Sequence, residues 1–154
     1  MEHQPNEETR YLIIEFSFVA RKTLQNSLLS IGIRVDNITC CDTLQNADII
    51  LEESSDIDFI IIGWTFPDDR ILTKNFLKEL RKKEDFSETP ILMIAMRGWQ
   101  DDIIEAMESG VNGYLFKGFS KEDLKKKIEE VLLNINLGQK PFMHSANKKI
   151  KVLV

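Results

Sequence analysis

The chain has 154 residues, 43 % of them apolar and 29 % charged, with a formal net charge of −5. That length supports one domain with a substantial core, and the acidic balance argues against a general nucleic-acid binder. Two adjacent cysteines, Cys40 and Cys41, offer neither metal-ligand spacing nor a disulfide framework, and no apolar run reaches the ~18 residues of a membrane span.

Met1 to Arg10 is polar and acidic, unlike a secretory leader, so the expectation is a cytoplasmic protein with reduced thiols. Tyr11 to Phe16 reads as a first buried strand. Val19, Leu24, Leu28, Leu29 and Ile31 then fall on one helical face, and Gly32 stands where a helix stop is expected. Arg34 to Cys41 is a weaker strand candidate. Thr43 can cap a second helix whose stripe is Leu44, Ala47, Ile50 and Leu51. Asp58 to Ile62 is the most apolar run, with no polar alternation, as in a strand buried on both faces; Pro67 closes the segment.

Ile71, Leu72, Phe76, Leu77 and Leu80 predict a third helix, ending in the charged stretch from Arg81 to Asp85. Pro90 opens a short strand, Ile91 to Ala95. A fourth helix is expected from about Trp99 to Ser109, with Ile103, Ile104 and Met107 inward and Gly110 as its stop. Gly113 to Phe116 is the fifth strand. Ser120 and Asp123 make a capping signal for a last helix carrying Leu124, Ile128, Val131, Leu132 and Ile135.

Five strand–helix units with short connections imply a parallel sheet covered by helices on both faces. The expected organisation is a polar stretch over residues 1–9, an α/β domain over 10–135 and a tail over 136–154. The tail holds Lys140, Lys148, Lys149 and Lys151 and no acid, and reads as a linker, an added strand or an interaction segment.

From about Arg10 to Leu133 the chain resembles the receiver domain of two-component response regulators, most closely the stand-alone chemotaxis type. The matching residues are Trp64 and Pro67 after the third strand, Pro90-Ile91-Leu92-Met93-Ile94 at the fourth, and Gly113-Tyr114-Leu115-Phe116-Lys117 at the fifth. The resemblance implies a flavodoxin-like fold with strand order 2-1-3-4-5. It also implies a site at the carboxyl ends of the strands. There an acidic pair and an aspartate hold Mg²⁺, that aspartate accepts a phosphoryl group, and a Thr or Ser and a Lys contact its oxygens.

Carried over residue by residue, the acidic pair falls on Glu15 and Phe16, the phosphoacceptor on Gly63 and the hydroxyl residue on Ala95. Only the lysine is kept, as Lys117, and the proline that usually follows it is Gly118. The loop after the third strand is longer than usual and lacks the common Asp-Gly pair. The resemblance thus implies a degenerate receiver that takes no phosphoryl group at the usual place, holds no metal or other cofactor, and is not an enzyme. Its function would be a phosphorylation-independent signalling and protein-interaction module.

Several residues carry paired readings. Glu15 and Lys117 are expected to pair across the emptied pocket, against the alternative that both face solvent. Phe16 reads as an apolar filler or as a wedge on the loops. Asp68 and Asp69 are either rescue phosphoacceptors or turn residues opening the third helix. Tyr114 is expected to turn inward over Ala95. Trp99 reads as a binding residue on the face of the fourth helix, fifth strand and fifth helix, or as core. Protein partners, and self-association, are expected on that face; a membrane is not, and nucleic acid is disfavoured despite the basic tail. The rival reading is a regulator that is phosphorylated at Asp68 or Asp69, or that acts through the tail. A flavin carrier is opposed by Ser17 to Thr23, which has no glycine and carries Arg21 and Lys22.

Overall fold

Five apolar runs become strands: β1 (Tyr11–Ile14), β2 (Ile38–Cys41), β3 (Phe59–Gly63), β4 (Ile91–Ala95) and β5 (Gly113–Phe116). The structure, a computed structural model, describes residues 8–64 and 70–136. All strand pairings are parallel and the order is β2-β1-β3-β4-β5, the doubly wound arrangement the resemblance implies. Every residue of β1, β3 and β4 is buried, which explains their unbroken apolar runs, whereas the edge strands β2 and β5 are partly exposed.

The helices are α1 (Phe18–Ser30), α2 (Leu44–Glu53), α3 (Arg70–Lys82), α4 (Gln100–Glu108) and α5 (Lys121–Asn136). Strand alternation sends side chains to two cores. On one face Leu12, Ile60 and Met93 pack with Leu51, Leu77 and Ile103 of α2, α3 and α4. On the other, Ile13, Ile61 and Ile94 pack with Leu24 and Leu28 of α1 and with Leu124 and Ile128 of α5.

The caps expected at Thr43 and at Ser120 with Asp123 form, and Ser17 adds a cap to α1. The Ser17 hydroxyl accepts from Ala20 N, Thr43 accepts from Asn46 N, and Ser120 and Asp123 exchange reciprocal bonds at α5. The structure differs in three places. Val35–Asn37 is a short 3-10 turn rather than strand, so β2 is only its last four residues. Val19 and Leu29 in α1, and Ile71 and Leu72 in α3, are exposed, so the apolar stripe of each helix is narrower than the spacing predicts. In α4 the buried face is Asp102, Ile103 and Ala106, with Ile104 and Met107 only half-buried. The buried Asp102 carboxylate is compensated by Arg70, whose Nε lies 3.1 Å from its Oδ1.

Arg81 is also buried, at the amino-terminal edge of the sheet. It was expected in the charged end of α3. Its guanidinium donates instead to the carbonyls of Gly110 (2.6 and 3.0 Å), Phe86 (2.9 Å) and Thr89 (2.7 Å), and to Asn112 Oδ1 (3.0 Å). Asn112 Oδ1 also accepts from Ile91 N, so one side chain ties α3 to the starts of β4 and β5. Burial lowers the guanidinium to about 10, opposed by nearby Glu88, and it remains cationic at neutral pH.

Among the described residues no helix is long and apolar enough to cross a membrane. Residues 1–7 of the polar amino-terminal stretch, Pro67, Asp68, Asp69 and the basic tail beyond Asn136 lie outside the described residues.

Candidate functional site

The carboxyl ends of β1 and β3 lie side by side, since Ile14 pairs with Ile62. In this strand order that is the topological switch point, where open α/β sheets place their ligands. Glu15 follows β1 and Gly63 ends β3, so the register makes them neighbours. Gly63 in turn pairs with Ile94, one residue before Ala95, and Ala95 O accepts from Lys117 N at 2.9 Å. The topology therefore gathers Glu15, Gly63, Ala95 and Lys117 at one end of the sheet.

Glu15 is 1 % exposed, a buried carboxylate beside the start of α1. Its Oε2 accepts from Ser17 N at 2.9 Å, where the helix N-terminus favours negative charge. Its Oε1 has no hydrogen-bond partner. The reason it can sit there is Gly63. A Cβ added at residue 63 would overlap Glu15 Oε1 and lie 2.8 Å from its Cδ, closer than atoms tolerate. The Glu15 carboxylate thus fills the room that any side chain at 63 would need.

The expected Glu15–Lys117 ion pair is not formed among the described residues. The β1–α1 loop is held by other means. Arg21 Nη1 donates to the carbonyls of Glu15 and Phe16, both at 2.9 Å, while Ser17 N holds the carboxylate. Arg21 lies one helical turn past Ser17, and nothing in its sequence position marks a guanidinium that turns back onto the loop. The role of Ser17, whose backbone N–H holds the Glu15 carboxylate while its hydroxyl caps α1, carries no signal in the sequence reading.

Phe16 does not fill the pocket. It is 60 % exposed and lines a groove of about 380 Å³ with Leu44 and Asp48 of α2 and Leu72 of α3. A side chain beginning outside the last buried position of β1 faces away from the strand ends, which is why the filler reading fails. Ala95 is fully buried. Gly118 has φ +94°, a left-handed backbone that proline cannot adopt, so the departure at this position carries its own loop geometry.

Trp99 precedes α4 and is half-buried against the core shared by α2, α3 and α4. Tyr114 on β5 is also half-buried. Its ring meets Phe116 edge-on at 5.5 Å, and Lys127 Nζ of α5 stands 5.8 Å from its centre. Arg97 stacks over Phe116 at 4.7 Å. Trp99, just before α4, and Tyr114, on β5, are thus both half-buried and packed against this core, between the expected binding and core roles.

The residues around Gly63 do not fit a magnesium ion. Magnesium requires several oxygen ligands in near-octahedral arrangement. Among the described residues here one carboxylate is available, one of its oxygens is engaged by Ser17 N, and Phe16, Gly63 and Ala95 supply no side-chain oxygen. No group of three metal-ligating side chains occurs among the described residues.

The family described as response regulator receiver domain matches residues 11–129. The chain is 30 % identical to chemotaxis protein CheY-3 of Vibrio cholerae, over 85 % of this chain and 97 % of that protein. Its fold is similar to that of the chemotaxis response regulator CheY4 of Vibrio cholerae, with TM-score 0.68, 23 % identity, and coverage of 80 % and 98 %. A similar fold is that of the receiver domain of a Pseudomonas aeruginosa sensor histidine kinase, which holds magnesium in its active site cleft, with TM-score 0.68, 22 % identity, and coverage of 80 % and 97 %.

Proposed function

Because the chain belongs to the response regulator receiver domain family, we propose that it is a degenerate member, a phosphorylation-independent signalling module with no catalytic activity of its own. One observation carries this reading: the Glu15 carboxylate occupies the room of a side chain at residue 63, the position the resemblance aligns with the phosphoacceptor. A glycine there has no nucleophile, and Ala95 has no hydroxyl for phosphoryl oxygens. A buried internal carboxylate also repels an incoming phosphoryl group. Support for a fixed loop comes from Ser17 N on Glu15 and Arg21 on the Glu15 and Phe16 carbonyls, contacts that need no metal.

The signal would then be read as a standing surface. We place it on α4, β5 and α5, around Trp99 and Tyr114, where half-buried rings with aromatic and cationic neighbours suit a protein partner or a second copy of the chain.

Incubation with acetyl phosphate and Mg²⁺, followed by intact mass measurement, tests the chemistry. The expected result is no phosphoryl adduct. An adduct lost in Asp68→Asn or Asp69→Asn would replace this reading with phosphorylation at a rescue aspartate. Sizing and partner capture with wild type and Trp99→Ala test the surface; equal recovery and an unchanged oligomeric state would move it elsewhere.

A further inference from the structure

Beside the switch point, between α1 and the loop leading into α5, lies a cavity of about 320 Å³, at the small end of ligand pockets. Val19, Leu24, Ile94 and Phe119 give it apolar walls, and Glu15 and Lys117 both line it. These two charges are opposite in sign, share one cavity and are not paired with each other. Glu15 keeps an oxygen without a hydrogen-bond partner although the residue is 1 % exposed. A buried carboxylate with an unengaged oxygen is costly unless something donates to it. Arg21, the nearest cation on α1 to bond this loop, spends its Nη1 on backbone carbonyls rather than on the carboxylate. Lys117 has no ion pair among the described residues.

We propose that this cavity binds a small zwitterion with an apolar body, namely a free α-amino acid with an aliphatic or aromatic side chain. Its ammonium group faces Glu15, its carboxylate faces Lys117, and its side chain lies against Val19, Leu24, Ile94 and Phe119. The two charges explain the class. A simple amine would meet the lysine, a simple carboxylate would meet the glutamate, and a metal ion finds too few oxygens. The inference goes beyond the phosphorylation-independent reading and does not depend on it, so its test is run without phosphodonor and without magnesium.

The test is isothermal titration calorimetry of the full chain with L-leucine, L-methionine and L-phenylalanine in turn. At least one should bind with a dissociation constant of about 1 mM or below. L-Leucinamide, which lacks the carboxylate, and 4-methylpentanoate, which lacks the amine, should each bind at least about 10-fold more weakly than leucine. Glu15→Gln and Lys117→Met should each weaken binding by a similar factor. Ala20 lines the cavity from α1 and is itself uncharged, so Ala20→Phe, which keeps both charges, should abolish binding while the circular dichroism spectrum is unchanged. That third variant decides the matter where a charge variant fails to fold. No binding of any of the three amino acids, equal binding of the two truncated analogues, or retained binding in folded Ala20→Phe would overturn the proposal.

Discussion

The two ends of the sheet each bury a charged side chain, and they treat it in opposite ways. At the amino-terminal edge, Arg81 makes five hydrogen bonds to three carbonyls and one amide oxygen, drawn from segments otherwise held apart. At the carboxyl edge, Glu15 has one oxygen engaged by Ser17 N and the other without a partner. A buried charge whose bonding capacity is filled fastens the structure; one left partly unfilled holds energy that a change at the site can release. The first end is therefore architecture, and the second is where we propose the functional site.

The largest effect should come from breaking the filled end. Arg81→Ala leaves the carbonyls of Phe86, Thr89 and Gly110 without this donor, and is expected to lower stability by about 3 kcal/mol or more. Arg81→Lys should recover only part of that, because an ammonium cannot copy the planar fork. Urea unfolding measures both. A loss under about 1 kcal/mol for Arg81→Ala would erase the contrast.

Glu15→Ala should do much less. It removes the acceptor for Ser17 N but also removes a buried, half-engaged charge, and the two effects oppose. The expected change lies within about 1 kcal/mol in either direction. A cost equal to that of Arg81→Ala would mean that the Glu15 carboxylate is as well satisfied as the guanidinium.

How much of this contrast the sequence carried differs between the ends. The strands were legible because β1, β3 and β4 are buried on both faces and so have no polar alternation. The caps at Thr43 and at Ser120 with Asp123 were legible because such bonds are local. That Phe16, Gly63 and Ala95 stand where the resemblance expects an acid, a phosphoacceptor and a hydroxyl was readable through the resemblance alone. Arg81 was not, since its partners lie up to 31 residues away and nothing in α3 distinguishes it from a solvated helix end. The Glu15–Lys117 pair was a fair inference from charge, but the backbone N–H at Ser17 competes for the carboxylate at shorter chain separation.

The smallest expected effect belongs to a charge exposed at neither end's core. Hydrogen bonds from the Ser120 backbone N–H and from its side chain lower the Asp123 carboxyl from its ordinary value of 3.8, and Lys126 adds to this. A carboxyl depressed in the folded state stabilises it above the ordinary value, and that contribution disappears as pH falls through the lower folded value. Asp123→Asn should therefore flatten the acid limb of the stability–pH profile slightly below about pH 4 and leave neutral behaviour almost unchanged. An unchanged acid limb would mean that the α5 cap does not depend on this charge.

The central claim is that Glu15 stands in the space a side chain at residue 63 would need, and a double-mutant cycle tests it most directly. Unfolding free energies would be measured for wild type, Gly63→Ala, Glu15→Ala and the double variant. Gly63→Ala alone should cost about 1–3 kcal/mol, because its Cβ must displace a buried carboxylate. In the Glu15→Ala background the same substitution should cost almost nothing, giving a coupling of about the full single-variant effect. Simple additivity of the two substitutions would contradict the account.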